Sequence, residues 1–143
     1  MTTEKKRILV VDDETTFTRM VRLNLEKAGP YEVREENRGR RAAATAREFK
    51  PHLILLDVIM PDVDGGEVAA LIQADPNLKN IPVVFLTATV SKREVGEAGT
   101  QRGGLFFLAK PVTLDQLVDC IEKHLKKTEP EAADKTPPVS AEI

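Results

Sequence analysis

Four short, unbroken apolar runs constrain this chain more than any other feature: Ile8-Leu9-Val10-Val11, Leu53-Ile54-Leu55-Leu56, Val83-Val84-Phe85-Leu86 and Leu105-Phe106-Phe107-Leu108. Each is too short for a stable helix and shows no polar alternation. Such runs are strands buried on both faces, the condition of a parallel sheet covered by helices. Residues 31–35 alternate instead, with Tyr31 and Val33 on one face, which suits a half-exposed edge strand.

Helical patterns separate the runs. Residues 14–28 place Phe17, Met20, Val21 and Ala28 on one face, and Gly29-Pro30 ends the pattern. Residues 39–49 turn Ala42, Ala46 and Phe49 inward. Asp64 and Glu67 have capping-box spacing ahead of Val68, Leu71 and Ile72, and so do Thr113 and Gln116 ahead of Leu114, Leu117, Val118, Ile121 and Leu125. The weakest helical pattern is 91–101, where Val95 and Ala98 are the apolar contacts and Gly96 and Gly99 each cost about 1 kcal/mol relative to Ala. Strands alternating with helices predict an α/β fold, a doubly wound (βα)5 domain of three layers around a five-stranded parallel sheet. At 143 residues the chain has room for one such domain. Residues 128–143, with three prolines and few large apolar side chains, are expected to form a mobile tail.

Composition excludes several function classes. A single Cys120 leaves no intramolecular disulfide and no Cys-rich zinc site. Aromatic residues at 4% provide no base-stacking platform, and a net charge of -2 argues against nucleic acid or an anionic membrane as main partner. The longest uncharged stretch, 80–91, is shorter than the roughly 18 residues of a membrane span, and no signal-peptide core follows the N-terminus, so a cytoplasmic location is expected.

The polar residues that end the apolar runs carry the chemistry. Asp12-Asp13-Glu14 follows the first, Asp57 the second, Thr87 the third and Lys110-Pro111 the fourth. Asp12 and Asp57 stand two βα units apart and each later pair one, at about 22–30 residues per unit. All should therefore meet at the carboxyl edge of the sheet, where sites in open α/β folds form. Taken singly, an Asp pair before a helix is an N-cap, and a Lys-Pro after a strand is a loop. Their coincidence at four strand ends is what points to function. Two like charges 4 Å apart repel by about 4 kcal/mol at an effective dielectric of 20, so three clustered carboxylates call for a cation. Hard oxygen donors favour Mg²⁺, which keeps waters and takes phosphate as a co-ligand. Lys110 suits a phosphoryl oxygen, the Thr87 hydroxyl can donate to another, and one Asp is available as a nucleophile.

Asp12-Asp13, the segment Asp57-Val58-Ile59-Met60-Pro61-Asp62-Val63-Asp64-Gly65, Thr87-Ala88 and Lys110-Pro111, in this order and spacing, resemble the signature of response-regulator receiver domains, the phosphoacceptor modules of two-component signalling. The resemblance spans roughly residues 6–127. It implies the flavodoxin-like strand order 2-1-3-4-5, with Asp57 accepting a phosphoryl group from a phosphohistidine of a sensor histidine kinase or histidine phosphotransfer protein. It implies Mg²⁺ (or Mn²⁺) held by Asp13, Asp57 and the Ile59 backbone carbonyl, with Asp12 reaching it through water. Lys110 would pair with the phosphoryl group, Thr87 and Phe107 would act as switch residues, and the Lys110-Pro111 bond would be cis. Phosphorylation would remodel the face of the fourth helix, fifth strand and fifth helix for a downstream protein partner.

On this reading the receiver unit is 1–127 and stands alone: the remaining sixteen residues are too few for an output domain, so no direct DNA binding and no membrane contact is expected. Such a domain is a phosphoacceptor that catalyses its own phosphorylation and dephosphorylation rather than an enzyme. Two alternatives compete. One is a receiver-like interaction module that works without phosphorylation. The other is a Mg-dependent phosphohydrolase with an Asp nucleophile, disfavoured because that chemistry wants a carboxylate two residues on, where Ile59 stands. The basic cluster Arg34, Arg38, Arg40, Arg41 and Arg47 reads as a solvated face, His52 as a loop residue, and Cys120 with His124 as packing.

Overall fold

A computed structural model describes residues 4–88, 100–102 and 105–128. The elements are β1 (Lys6–Val11), α1 (Thr15–Ala28), β2 (Tyr31–Glu36), a 3-10 turn (Gly39–Arg41), α2 (Ala42–Phe49), β3 (Leu53–Asp57), α3 (Gly65–Ala74), β4 (Val83–Thr87), β5 (Thr100–Arg102), β6 (Leu105–Ala109) and α4 (Leu114–Thr128). The five strands read from the sequence are parallel and lie in the expected order, with β2 at the edge, then β1, β3, β4 and β6.

A short sixth strand adds to the five parallel ones. β5 pairs antiparallel with β6 and extends the sheet beyond it. Thr100 and Gln101, assigned to a fourth helix by pattern, thus belong to a strand, and residues 91–99 of that predicted helix lie outside the described residues. The signal for the hairpin is present in the sequence. Gly103-Gly104 is a two-residue link of the kind that joins antiparallel strands, and Thr100 is β-branched. Of the expected tail, 128–143, Thr128 ends α4 and residues 129–143 lie outside the described residues.

Alternation within each apolar run divides the core in two. Ile8, Val10, Leu53, Leu55, Val84, Leu86 and Leu108 pack on one face with Val21 and Leu25 of α1 and Leu117, Ile121 and Leu125 of α4. Leu9, Val11, Ile54, Leu56 and Phe85 pack on the other with Ala42, Ala46 and Phe49 of α2 and Val68, Ala69 and Ile72 of α3. These are the three layers. Two helix faces differ from the pattern reading. On α1 the buried stripe is Thr18, Val21 and Leu25, leaving Met20 40% exposed and Ala28 at the surface. On α3, Ala69 is buried while Leu71 is 61% exposed. At 100° per residue, the 18, 21, 25 row leaves little of Met20 facing the sheet, and a small Ala can approach a flat sheet where a larger Leu turns aside.

The other sequence readings resolve into structural roles. The His52 Nδ1 accepts the Arg7 backbone N–H at 2.8 Å, and the His52 backbone N–H donates to the Arg7 carbonyl at 2.7 Å. The imidazole proton is therefore on Nε2, and His52 locks the start of β3 to β1. Arg34, Arg41 and Arg47 are ion-paired with Glu48, Glu36 and Asp75, and Arg40 binds Asp62 through its backbone N–H and its Nε. Cys120 is buried in the α4 core, where burial pushes its thiol up to about 12, and His124 meets the Phe106 ring edge-on at 4.7 Å. No helix among the described residues is long and apolar enough to cross a membrane.

The capping box at α4 is complete: Gln116 N–H donates to the Thr113 hydroxyl at 3.1 Å, and Thr113 N–H donates to the Gln116 side chain at 2.8 Å. Thr113→Ala should lower stability by about 1 kcal/mol in chemical denaturation, because it leaves a helix N–H without its acceptor.

Candidate functional site

The parallel strands end together, and their polar termini meet there. β1 delivers Asp12 and Asp13, β3 ends on Asp57, β4 ends on Thr87, and Lys110 follows β6. Registry places them side by side: Asp57 is level with Leu86, and Thr87 with Ala109. Carboxylate oxygens of Asp12, Asp13 and Asp57 lie within 4.8 Å of one another. Asp12 is fully buried, Asp57 is 7% exposed and Asp13 faces solvent.

Lys110 supplies the local positive charge. Its ammonium donates to Asp12 Oδ2 at 2.6 Å and lies 3.8 Å from both Asp57 Oδ1 and Glu14 Oε1. One ammonium does not satisfy three carboxylates. Burial first, and then the charge of Asp12, push Asp57 up to about 6 against the partial relief given by Lys110. For Lys110 itself, burial pulls the pKa down, but the hydrogen bond and charge of Asp12, with Asp57 and Glu14, more than offset this and hold it above its ordinary value. The donor set therefore fits a hard divalent cation: three oxygen ligands of like charge, close together and undercompensated.

Several backbone bonds hold the site in place. Asp12 N–H donates to the Glu36 carbonyl at 3.1 Å, Val58 N–H to Leu86 at 3.1 Å, and Lys110 N–H to the Thr87 carbonyl at 2.9 Å. The Ile59 backbone N–H bonds the Asp57 carboxylate, while the Ile59 side chain is 62% exposed. The Lys110-Pro111 peptide is cis. Phe107 is half-buried and stacks on Phe85, with ring centroids 5.1 Å apart.

Sequence reasoning passed over three contributors. Asn37 donates from its side-chain amide to the Asp12 carbonyl at 2.8 Å and to the Thr18 hydroxyl at 2.9 Å, tying β2 and α1 to the site. Phe17 places its ring 4.4 Å from the Lys110 ammonium. Gly65 opens α3 against the turn after β3: its N–H donates to the Val58 carbonyl at 2.8 Å, and a Cβ there would stand 2.4 Å from the Asp57 carbonyl oxygen. Of these, Gly65 had a signal, since Gly-Gly within a capping sequence marks a close backbone approach. The partners of Asn37 and Phe17 depend on strands brought together only by folding.

A model of the response regulator receiver domain matches residues 8–122. The chain belongs to the response-regulator receiver family. This receiver is 33% identical over 129 residues to the DNA-binding dual master transcriptional regulator RpaA of Synechocystis, a match covering 89% of this chain but 53% of RpaA, so the chain corresponds to about half of that relative. It is 31% identical to the polar-differentiation response regulator DivK of Brucella anthropi, covering 84% of this chain and 96% of DivK. Among solved structures, the receiver is similar to the Vibrio cholerae chemotaxis protein CheY4, at 30% identity and a TM-score of 0.70 over 83% of this chain and 98% of CheY4.

A second concavity, of about 550 Å³, lies at the opposite end of the sheet among Arg7, Arg47, Lys50, His52 and Ile81. It is distant from the acidic residues, and its arginines are already engaged, Arg47 by Asp75 and Arg7 by the Lys50 carbonyl.

The raised Asp57 predicts a pH dependence. Its folded pKa lies above the ordinary 3.8, so the folded state binds the proton more tightly than the unfolded chain. That stabilisation is complete below the unfolded pKa and is lost as pH rises through about 6. In chelator, the stability of Asp57→Asn relative to the native chain should therefore rise by roughly 2 kcal/mol between pH 4 and pH 7.5, measured by urea denaturation. Gly65→Ala should destabilise by about 2 kcal/mol or more in the same assay, since the clash is with backbone.

Proposed function

We propose that this protein accepts a phosphoryl group onto Asp57 from the phosphohistidine of a sensor histidine kinase or a histidine phosphotransfer protein, in a reaction dependent on Mg²⁺ or Mn²⁺. The observation that carries this reading is the convergence of Asp12, Asp13, Asp57 and Lys110 at one sheet edge. In the transfer, an Asp57 carboxylate oxygen forms a bond to phosphorus as the phosphorus–nitrogen bond breaks, and the imidazole leaves with the electron pair. Asp13, Asp57 and the Ile59 carbonyl would hold the divalent ion directly, and Asp12 through water. The ion, when bound, offsets charge on the transferring oxygens.

Lys110 serves as the second counter-charge. It already lies between Asp12 and Asp57, so it can follow the negative charge that arrives on Asp57. A phosphoryl group adds about two negative charges and three acceptor oxygens. The Thr87 hydroxyl, at the end of the neighbouring strand, is the donor for one of them. Its movement would draw Phe107 inward and bias the surface of β6 and α4 toward a protein partner, together with the preceding segment. The domain acts as a phosphoacceptor and signalling switch rather than as an enzyme on outside substrates. Ile59, apolar and exposed two residues after Asp57, supplies no acid or base for a hydrolase. The receiver unit of this reading extends through 127.

Incubation with acetyl phosphate and Mg²⁺, followed by intact mass measurement, tests this. One acid-labile phosphoryl group should appear, and it should vanish with chelator or in Asp57→Asn. An unmodified native chain under these conditions would favour the interaction module that works without phosphorylation. A modification that survives loss of Asp57 would move the acceptor elsewhere.

A further inference from the structure

The Lys110 ammonium is held on two sides by groups of different kinds. On one side are carboxylates, Asp12 at 2.6 Å and Asp57 and Glu14 at 3.8 Å each. On the other is the face of Phe17, with its centroid 4.4 Å from Nζ, well within the range of cation–π attraction. The Lys110 side chain is only 15% exposed, so this contact is largely shielded from water, where such attraction is strongest. Phe17 is itself well anchored. It sits in the first turn of α1, its N–H donates to the Glu14 carbonyl at 3.1 Å, and its ring packs on the core shared by α1 and α4.

The carboxylate contacts are conditional. Asp12 and Asp57 belong to the same cluster that suits a divalent cation, so a bound ion competes with Lys110 for their charge. Glu14 is 64% exposed and its pull is screened by water. The aromatic face depends on neither protonation nor metal. We propose that Phe17 is a positioning residue: its ring keeps the Lys110 ammonium beside Asp57 when the acidic cluster is occupied, so that the counter-charge is in place as the phosphoryl group arrives. This rests on the reading that Asp57 is the phosphoacceptor, and it assigns Phe17 a part in that step that apolar packing alone would not require.

The test separates π-face from bulk. Phe17→Leu keeps the apolar volume without the ring, and Phe17→Tyr keeps the ring. Phosphoryl uptake from acetyl phosphate at saturating Mg²⁺ should slow roughly 3- to 30-fold in Phe17→Leu and be largely retained in Phe17→Tyr. In a Lys110→Met background the Leu substitution should cause no additional slowing, because the partner through which Phe17 acts is gone. In NMR spectra of the unphosphorylated protein with Mg²⁺, the Lys110 ε-methylene protons should be shifted upfield by the ring, and the shift should disappear in Phe17→Leu.

Equal slowing with and without Lys110 would show that Phe17 only packs, and would overturn the proposal. So would an ε-methylene signal that does not respond to loss of the ring. If the native chain takes up no phosphoryl group at all, the phosphoacceptor reading falls and the role of Phe17 in it falls too. Normal uptake by the native chain and by Phe17→Leu alike overturns the positioning role alone.

Discussion

A parallel sheet covered by helices on both faces has no place for a charge except at its ends. Every residue of β3 is buried, and four of the six in β1 are. Because β1, β3, β4 and β6 run the same way, all their carboxyl ends open at one edge. Polar residues that terminate these strands are therefore crowded together whether or not they repel. The crowding of Asp12, Asp13 and Asp57, with one ammonium between two of them, is the consequence on which the rest of the site depends. It gives Asp57 a raised pKa, Lys110 two buried carboxylate partners, and the cluster a demand for additional positive charge.

Holding like charges together requires a frame that cannot relax. Cross-strand bonds at the carboxyl edge provide it: Asp12 to Glu36, Val58 to Leu86 and Lys110 to Thr87. Asn37 adds a side-chain clamp on the Asp12 carbonyl, and Gly65 lets α3 begin directly against the Asp57 backbone. The surface ion pairs around α2 contribute less, since exposed pairs such as Arg34 with Glu48 gain little over hydration. The cost of the site is thus met by the ladders and the two hydrophobic layers rather than by surface electrostatics.

Much of this was legible before the fold was seen. Uninterrupted apolar runs specify both-face burial, and the residue that ends each run is forced to the edge, so Asp12, Asp57, Thr87 and Lys110 could be named from position alone. The complete Thr113–Gln116 box was equally plain. The helical reading failed at Thr100 and Gln101, at the end of the weakest local pattern. Sparse apolar residues and glycines carry little information about period, and pairing with β6 drew Thr100 and Gln101 into a strand. Met20 and Leu71 were misplaced for a related reason: hydrophobic type alone does not set which row of a helix meets a sheet.

By itself the sequence determined the succession of the five parallel strands, the two-sided burial of the sheet and the residues that would stand at its carboxyl edge. These follow from nearest-neighbour pattern and periodicity, which are properties of the chain. Tertiary structure alone decided which groups would face one another across that edge. Asp12 and Lys110 are separated by most of the domain in sequence yet are 2.6 Å apart, and Phe17 and Asn37 acquire their roles only from what lies opposite them. Such contacts depend on registry and crossover geometry, set by the packing of the whole sheet, and no local pattern encodes them.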